Sequence, residues 1–505
     1  MAATGSIFKS TLLLTAANLT MRGVSMLFQV YLTGEIGAAG IGLLQLIMTV
    51  HGFSITLGTS GLRVAAMYLS AEEYGLQRPA GIRNVMGWCL AAGAILSALV
   101  GSIMFLGAEP LALNWVKDLR AVPALRLLGL TLPLTCLSAI LAGYFTAIGQ
   151  VGRLVIVEIA DRMATVGATA QLLTFGTKGD LSHACLSIVG GGALASLASV
   201  IVLLFMMAKN FRKCGPHPSR HGTGRRLCRF CIPIALNDYL RSGLGTLEQF
   251  LIPYGLTRFG GTRTGALADY GTIQGMVFPL MMLPCTVLHA VSDLLVPELA
   301  LSRAQNNRAR IRHMTEYYLE RSTLFSATAA GLLFLLADPL GFLLYRSQEA
   351  GFYLRLFAPL IPILYLDCIV DGMHKGLGQQ IYCVRVNTLT NFLDVIGLFL
   401  LLPRWGIGGY FFTFSVTHCL NFYLSLRRLL QISDAELRWR FLLMITGCTI
   451  TAVIICRRIL PLSAHVFSVI TGGGVYLAFV ICLILFADTL HPSRSPLIIE
   501  KNNRR

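Results

Sequence analysis

Charged residues are scarce in this chain. Of 505 residues only 13% are Asp, Glu, Lys or Arg, about half the ~25% share of a soluble domain. Long polar stretches are missing too: the longest, near 209–229 and 298–321, are too short to fold alone. That excludes an appended soluble catalytic domain. No Walker loop, zincin motif or nucleophile–base pair is present, which disfavours an ATP-driven pump and gives no reason to expect an enzyme. Acidic residues are the scarcer sign, 24 against 41 Lys and Arg, for a net charge of +17. In a soluble protein that surplus would point to nucleic acid. Here loops that obey the positive-inside rule explain it more economically, so no nucleic-acid partner is expected. The 13 cysteines fall mostly inside apolar segments, where they act as small buried hydrophobes rather than a disulfide framework.

Apolar residues dominate instead: 55% of the chain is hydrophobic and the mean hydropathy is +0.68. The sequence predicts an all-α polytopic membrane protein with about fourteen transmembrane helices, since most apolar runs can cross a core of about 30 Å. The spans fall near 7–32, 40–69, 84–107, 121–148, 153–175, 184–208, 230–256, 266–297, 322–345, 353–377, 381–402, 407–430, 439–460 and 465–487. The first resembles a signal peptide, but its pattern continues through "VSMLFQVYL", so it reads as an uncleaved helix. Lys and Arg cluster in alternate loops, around Arg78 and Arg83, Lys209 to Arg226, Arg308 to Arg312, and Arg427 and Arg428. That bias places both termini on the cytoplasmic side.

The chain also echoes itself. "ILAGYFTAIGQ" at 140–150 matches "IVDGMHKGLGQ" at 369–379, and "NLTMR" at 18–22 parallels "NDYLR" at 237–241. An offset of six helices keeps both copies the same way up, so the expectation is two six-helix lobes in parallel repeat plus two C-terminal helices. The predicted divisions are an N-terminal lobe (1–208), a basic cytoplasmic loop (209–229), a C-terminal lobe (230–430), and a final helix pair with a tail (431–505).

Against this apolar background the charges within spans stand out. A charge at mid-bilayer costs about 2.5 kcal/mol or more. Arg22, Arg63 and Arg241 have a guanidinium that stays charged and offers a planar fork to phosphate oxygens, so they are candidates to line a cavity for an anionic headgroup. Asn18 and Asn237 accompany Arg22 and Arg241 in the repeat, and Glu248 lies about two turns from Arg241 on nearly the same face. Asp238 is one turn from Arg241, and Pro253 is expected to kink the end of that helix. Arg162 has Glu158 at i−4 and Asp161 beside it, a pattern suited to helix pairing or ion coupling. Asp367, Asp371 and Asp394 are further candidates for an H⁺ or Na⁺ relay; Asp269, His289 and Asp293 are the other ionisable groups in spans. Cys214, His217, His221, Cys228 and Cys231 offer soft ligands at a spacing that matches no standard zinc finger, so no metal is assigned. The arginines of that loop serve more simply to contact anionic lipid headgroups.

"PIALNDYLRSGLGTLEQFLIPYGL" (233–256), "SDLLVPELALSRA" (292–304) and "GTSGLRVAAMYLSAEE" (58–73) resemble the stage V sporulation protein B group. That group belongs to the multidrug/oligosaccharidyl-lipid/polysaccharide exporter superfamily. The resemblance spans essentially the whole chain. It implies a flippase that moves a lipid-linked oligosaccharide or cell-wall precursor across the bacterial cytoplasmic membrane, by alternating access through a cationic central cavity. It would need no cofactor and would draw on the membrane potential, H⁺ or Na⁺. Its partners would be the lipid-linked glycan, membrane lipids and cell-wall synthesis proteins. By resemblance Arg22, Arg63 and Arg241 would receive the pyrophosphate and helices 13 and 14 would form a groove for the lipid tail. Arg457 and Arg458 at their junction lack an acidic partner, which leaves the groove's detail open. The alternatives are a cation-coupled multidrug exporter of the same superfamily, an integral-membrane polymerase or ligase, and a non-transporting protein of cell-wall assembly. The drug-exporter reading expects about twelve helices and an acidic cavity, and the enzyme reading expects a large outer loop.

Overall fold

The computed structural model describes residues 2–175, 180–211, 223–459 and 465–490. Among them every regular element is helical, and the chain is a multi-pass, all-α membrane protein. Each of the fourteen predicted spans falls on a described helix or on consecutive helical segments, four of them in the case of 266–297. By length and apolarity alone, nine described helices would cross a membrane, or ten if the bent pair Arg308–Leu335 and Ala337–Tyr345 is one span. Fourteen crossings are consistent with this, because the remaining helices include those whose hydropathy is lowered by charges within the span.

The described residues form two compact units, Met1–Gly271 with Val395–Ile407, and Thr272–Asp394 with Gly408–Arg505. The first contains α1 (Ala2–Thr59), α2 (Leu62–Gly75), α3 (Pro79–Leu106), the short α4 (Ala108–Leu111), α5 (Val122–Ala147), α6 (Val151–Thr174), α7 (Leu181–Phe211), α8 (Thr223–Arg258) and α9 (Arg263–Gly271). The second contains α10 (Phe278–Met282), α11 (Cys285–Ala304), α12 (Arg308–Leu335), α13 (Ala337–Tyr345), α14 (Gln348–Phe357), α15 (Ile361–Gly376), α17 (Ile407–Ser433), α18 (Trp439–Ile459) and α19 (Val466–Leu490). Helix α16 (Gln380–Trp405) gives its first part to the second unit and its end to the first.

The first expected boundary is present, and two further boundaries differ from those expected. Gly37, at φ 68°, breaks α1 where the first two spans were separated. A second break at Ser60 and Gly61 then cuts the predicted span 40–69 into α1 and α2. Helix α8 starts at Thr223 rather than near 230, because the polar residues before the membrane are themselves helix formers, and it continues through Pro253 to Arg258.

The parallel repeat is built into the helix ends. Gly149 (φ 74°) and Gly378 (φ 66°) terminate α5 and α15, and are 229 residues apart. Both use the same closure. Gln150 N–H donates to Phe145 O and Gln379 N–H to His374 O; Gly149 and Gly378 donate to Thr146 O and Lys375 O. Glycine suits the left-handed position, and the paired bonds satisfy carbonyls that hydrocarbon would leave bare. At the same spacing, Gln77 (φ 54°) and Asn306 (φ 52°) close α2 and α11, and Lys117 (φ 56°) and Arg346 (φ 51°) precede the next helical turn. Asp118 and Ser347 follow them as N-caps, accepting from Arg120 N–H and Ala350 N–H. Gly143 and Gly372 also share a role: a Cβ would strike the Arg63 carbonyl at the first and the Ser292 side chain at the second. Arg63 and Ser292 are themselves 229 residues apart.

Close approach also fixes α1 against α9. A Cβ on Gly42 would collide with the Leu267 carbonyl, and one on Gly271 with the Ala38 carbonyl. Gly42→Val should therefore lower stability in detergent by about 1–3 kcal/mol. Gly52→Val, with nothing within 4 Å of its Cβ, should be nearly neutral, and thermal unfolding of the two variants checks the contrast. Asp118 supplies a pH test. Burial works to raise its carboxyl, but the Arg120 hydrogen bonds and the Arg120 and Arg263 charges outweigh this and hold it below the usual carboxylate range. Its stabilisation should be full above about pH 4 and be lost as pH falls through the depressed pKa. Asp118→Asn should lack that component in unfolding measured against pH.

Candidate functional site

The sequence "LGTSGLR" (57–63) carries three small residues before a cation, and the structure uses them to break a helix. Ser60 and Gly61 take positive φ (43° and 74°), so α1 ends and α2 restarts in a new direction. Helix α8 seals the break. Tyr239 Oη hydrogen-bonds Ser60 Oγ, and also donates to Leu57 O at 3.3 Å. Ser60 Oγ donates to Leu57 O at 2.6 Å. Ile234 packs on Gly61, and Phe53 approaches Gly243. The contact is tight because serine and glycine present almost no side chain to α8.

Two of the predicted cations lie within three residues of this contact along the chain. Arg63 lies in the first turn of α2, with Gly143 of α5 packed beneath its carbonyl. Arg241 lies two residues beyond Tyr239 on α8. Both residues are exposed at the protein surface. Glu158 of α6 lies close enough to Arg63 for that charge to act on it. Asp161 accepts a 2.7 Å hydrogen bond from Ser199 Oγ of α7. Arg162 is exposed on α6.

Arg22 is exposed on the arm of α1 before the Gly37 break, so it lies apart in the chain from the Ser60 crossing. The Asn18 side chain lies outside the described residues. Asn237 is partly buried one turn before Arg241. Glu248 is partly buried, close enough to Tyr270 for its charge to act there; Tyr270 Oη donates to Gln249 Oε1 at 2.7 Å. Leu247 and Leu251 of α8 join Val395, Ile396, Phe399 and Leu400 of α16 around a wholly apolar recess of about 370 Å³.

The carboxylates of the second unit form a separate group. Asp394 is 5% exposed and accepts from Thr417 Oγ1 at 2.8 Å. Asp367 and Asp371, one turn apart on α15, act on each other electrostatically, and Asp371 also contacts Cys383 of α16. Asp367 Oδ1 is buried with no hydrogen-bond partner. Of the loop residues weighed as zinc ligands, Cys214, His217 and His221 lie outside the described residues, while Cys228 is exposed and Cys231 buried. Sequence reasoning missed Ser60, Gly61 and Tyr239. The signal available was the small-residue run "GTSG" in an apolar span.

The family described as polysaccharide biosynthesis protein matches residues 7–300. Stage V sporulation protein B of Bacillus subtilis (strain 168) is 22% identical over 413 residues, covering 80% of this chain and 80% of that protein. Among solved structures, the lipid II flippase MurJ in an inward closed conformation aligns with a TM-score of 0.74 at 11% identity, over 95% of this chain and 100% of its own. An inward-facing multidrug resistance MATE family transporter of the MOP superfamily aligns with a TM-score of 0.66 at 13% identity, over 82% and 96%. At such identities the structural likeness establishes a shared fold.

Tyr239→Phe removes the hydroxyl that seals the Ser60 break and should cost about 0.5–1.5 kcal/mol. Ser60→Ala should cost a similar amount, and the double variant less than the sum, because the two groups serve one contact. Unfolding of the three variants measures that coupling.

Proposed function

The chain belongs to the polysaccharide biosynthesis protein family, and on that premise we propose that it is a flippase for a lipid-linked glycan of the bacterial cytoplasmic membrane, with both termini cytoplasmic. The observation that carries this reading is the exposure of Arg63 and Arg241 on membrane-spanning segments, each within three residues along the chain of the Ser60–Tyr239 contact. Two fixed guanidinium forks are suited to the oxygens of a pyrophosphate, and their charge replaces part of the hydration it loses on leaving water. The apolar recess beside Leu247 gives a prenyl chain a place on the same helix that carries Arg241. In this reading the arginine-bearing face is exposed first to one side of the membrane and then to the other. The membrane potential, about 2.3 kcal/mol per charge per 100 mV, favours outward movement of net negative charge. The similarity to stage V sporulation protein B and to the lipid II flippase supports the same substrate class.

A second reading, a cation-coupled exporter, is favoured by the MATE likeness and by the buried carboxylates Asp367 and Asp394. The two readings differ in what drives transport. In proteoliposomes, Arg63→Gln and Arg241→Gln should each lower translocation of a fluorescent undecaprenyl-pyrophosphate-linked sugar at least tenfold, with the fold retained. Unchanged translocation would overturn the cationic assignment. If instead Asp367→Asn and Asp394→Asn abolish efflux of a cationic dye driven by an H⁺ or Na⁺ gradient while the arginine variants do not, the exporter reading replaces it.

A further inference from the structure

We propose that Cys285, His289 and Cys368 form a binding site for a thiophilic metal ion of the Zn²⁺ class, within the second unit and independent of the transport reading. Cys285 and His289 are at i and i+4 on α11, so both side chains lie on one face of that helix. Cys368 reaches them from α15. The Sγ, imidazole nitrogen and Sγ atoms all lie within 4.8 Å of one another, and Cys368 Sγ is 3.0 Å from His289 Nδ1. A Zn²⁺ ion takes thiolate sulfur at about 2.3 Å and imidazole nitrogen at about 2.0 Å. Ligand atoms bound to one ion are then about 3.5–4 Å apart, a spacing the three groups reach with small side-chain rotations.

The chemistry of the set selects the ion. Two thiolates and an imidazole are soft donors that favour Zn²⁺ or Cu⁺ over Mg²⁺ or Ca²⁺. Three protein ligands leave a fourth position for water. Burial differs across the three, with Cys285 buried, Cys368 half-buried and His289 exposed, so an ion could enter on the His289 side. Once bound it would staple α11 to α15 close to the break between α10 and α11.

Purified full-length protein, stripped of metal under reducing conditions, should bind about one Zn²⁺ per chain. Cys285→Ser, Cys368→Ser and His289→Ala should each reduce this to near zero, while Cys228→Ser and Cys231→Ser should leave it unchanged. X-ray absorption of the Zn²⁺-loaded wild-type protein should show two sulfur ligands and one imidazole, a measurement that does not need the variants to fold. Zn²⁺ should also raise the unfolding temperature of the wild type. Failure of the wild type to bind stoichiometrically, a shell of nitrogen and oxygen only, or equal binding by all variants would overturn the proposal. So would a Cys285–Cys368 disulfide found by mass spectrometry of protein prepared without reductant.

Discussion

A helix that breaks inside hydrocarbon exposes N–H and C=O groups that no lipid can satisfy, so a membrane protein can bend only where the break closes on itself. The architecture of this chain depends on how it meets that constraint. At the corners between spans, Gly149 and Gly378, the last carbonyls are answered by the same pair of backbone bonds. At Gln77 and Asn306 the same pairing recurs without glycine. The Ser60–Gly61 break is answered differently, by a tyrosine from another helix. Because that seal is tertiary, it ties α8 to the α1–α2 corner.

The charges follow from that frame. Arginines at exposed positions and carboxylates at buried ones imply different work. An exposed guanidinium on a membrane-spanning segment needs water or an anion. A buried carboxylate such as Asp394 needs a donor, and Thr417 supplies one. The span arginines Arg22, Arg63, Arg162 and Arg241 lie in the first unit, and Asp367 and Asp394 in the second. The repeat therefore preserves helix ends while the chemistry on its two copies diverges: Arg63 in one copy corresponds to Ser292 in the other.

Much of the fold was legible in the sequence because hydropathy depends on composition, and all fourteen spans fall on helices. The offset of 229 residues was legible from "GYFTAIGQ" and "GMHKGLGQ", where the left-handed corner demands glycine. The matching corners at Gln77 and Asn306 were not, since different residues adopt the same φ there. The Ser60 break was hidden because "TLGTSGLRVAA" reads as continuous apolar helix and its seal comes from Tyr239, far along the chain. Arg63, Arg241 and Glu158 were each identifiable as charges in spans. That the Arg63 charge reaches Glu158 required the folded arrangement, which spacing along one helix does not encode. Cys285 and His289 show their common helix face in the sequence, but Cys368 joins them only through the packing of α15.

The central claim is that the surface bearing Arg63 and Arg241 faces water and an anionic headgroup rather than lipid tails. Cysteine accessibility tests it most directly. Arg63→Cys and Arg241→Cys, compared with the unsubstituted protein in native membranes, should react with a charged, membrane-impermeant thiosulfonate applied to vesicles of both orientations. An undecaprenyl-pyrophosphate-linked sugar should slow that reaction. Positions that stay unreactive from both sides, or labelling indifferent to the lipid-linked sugar, would contradict the account.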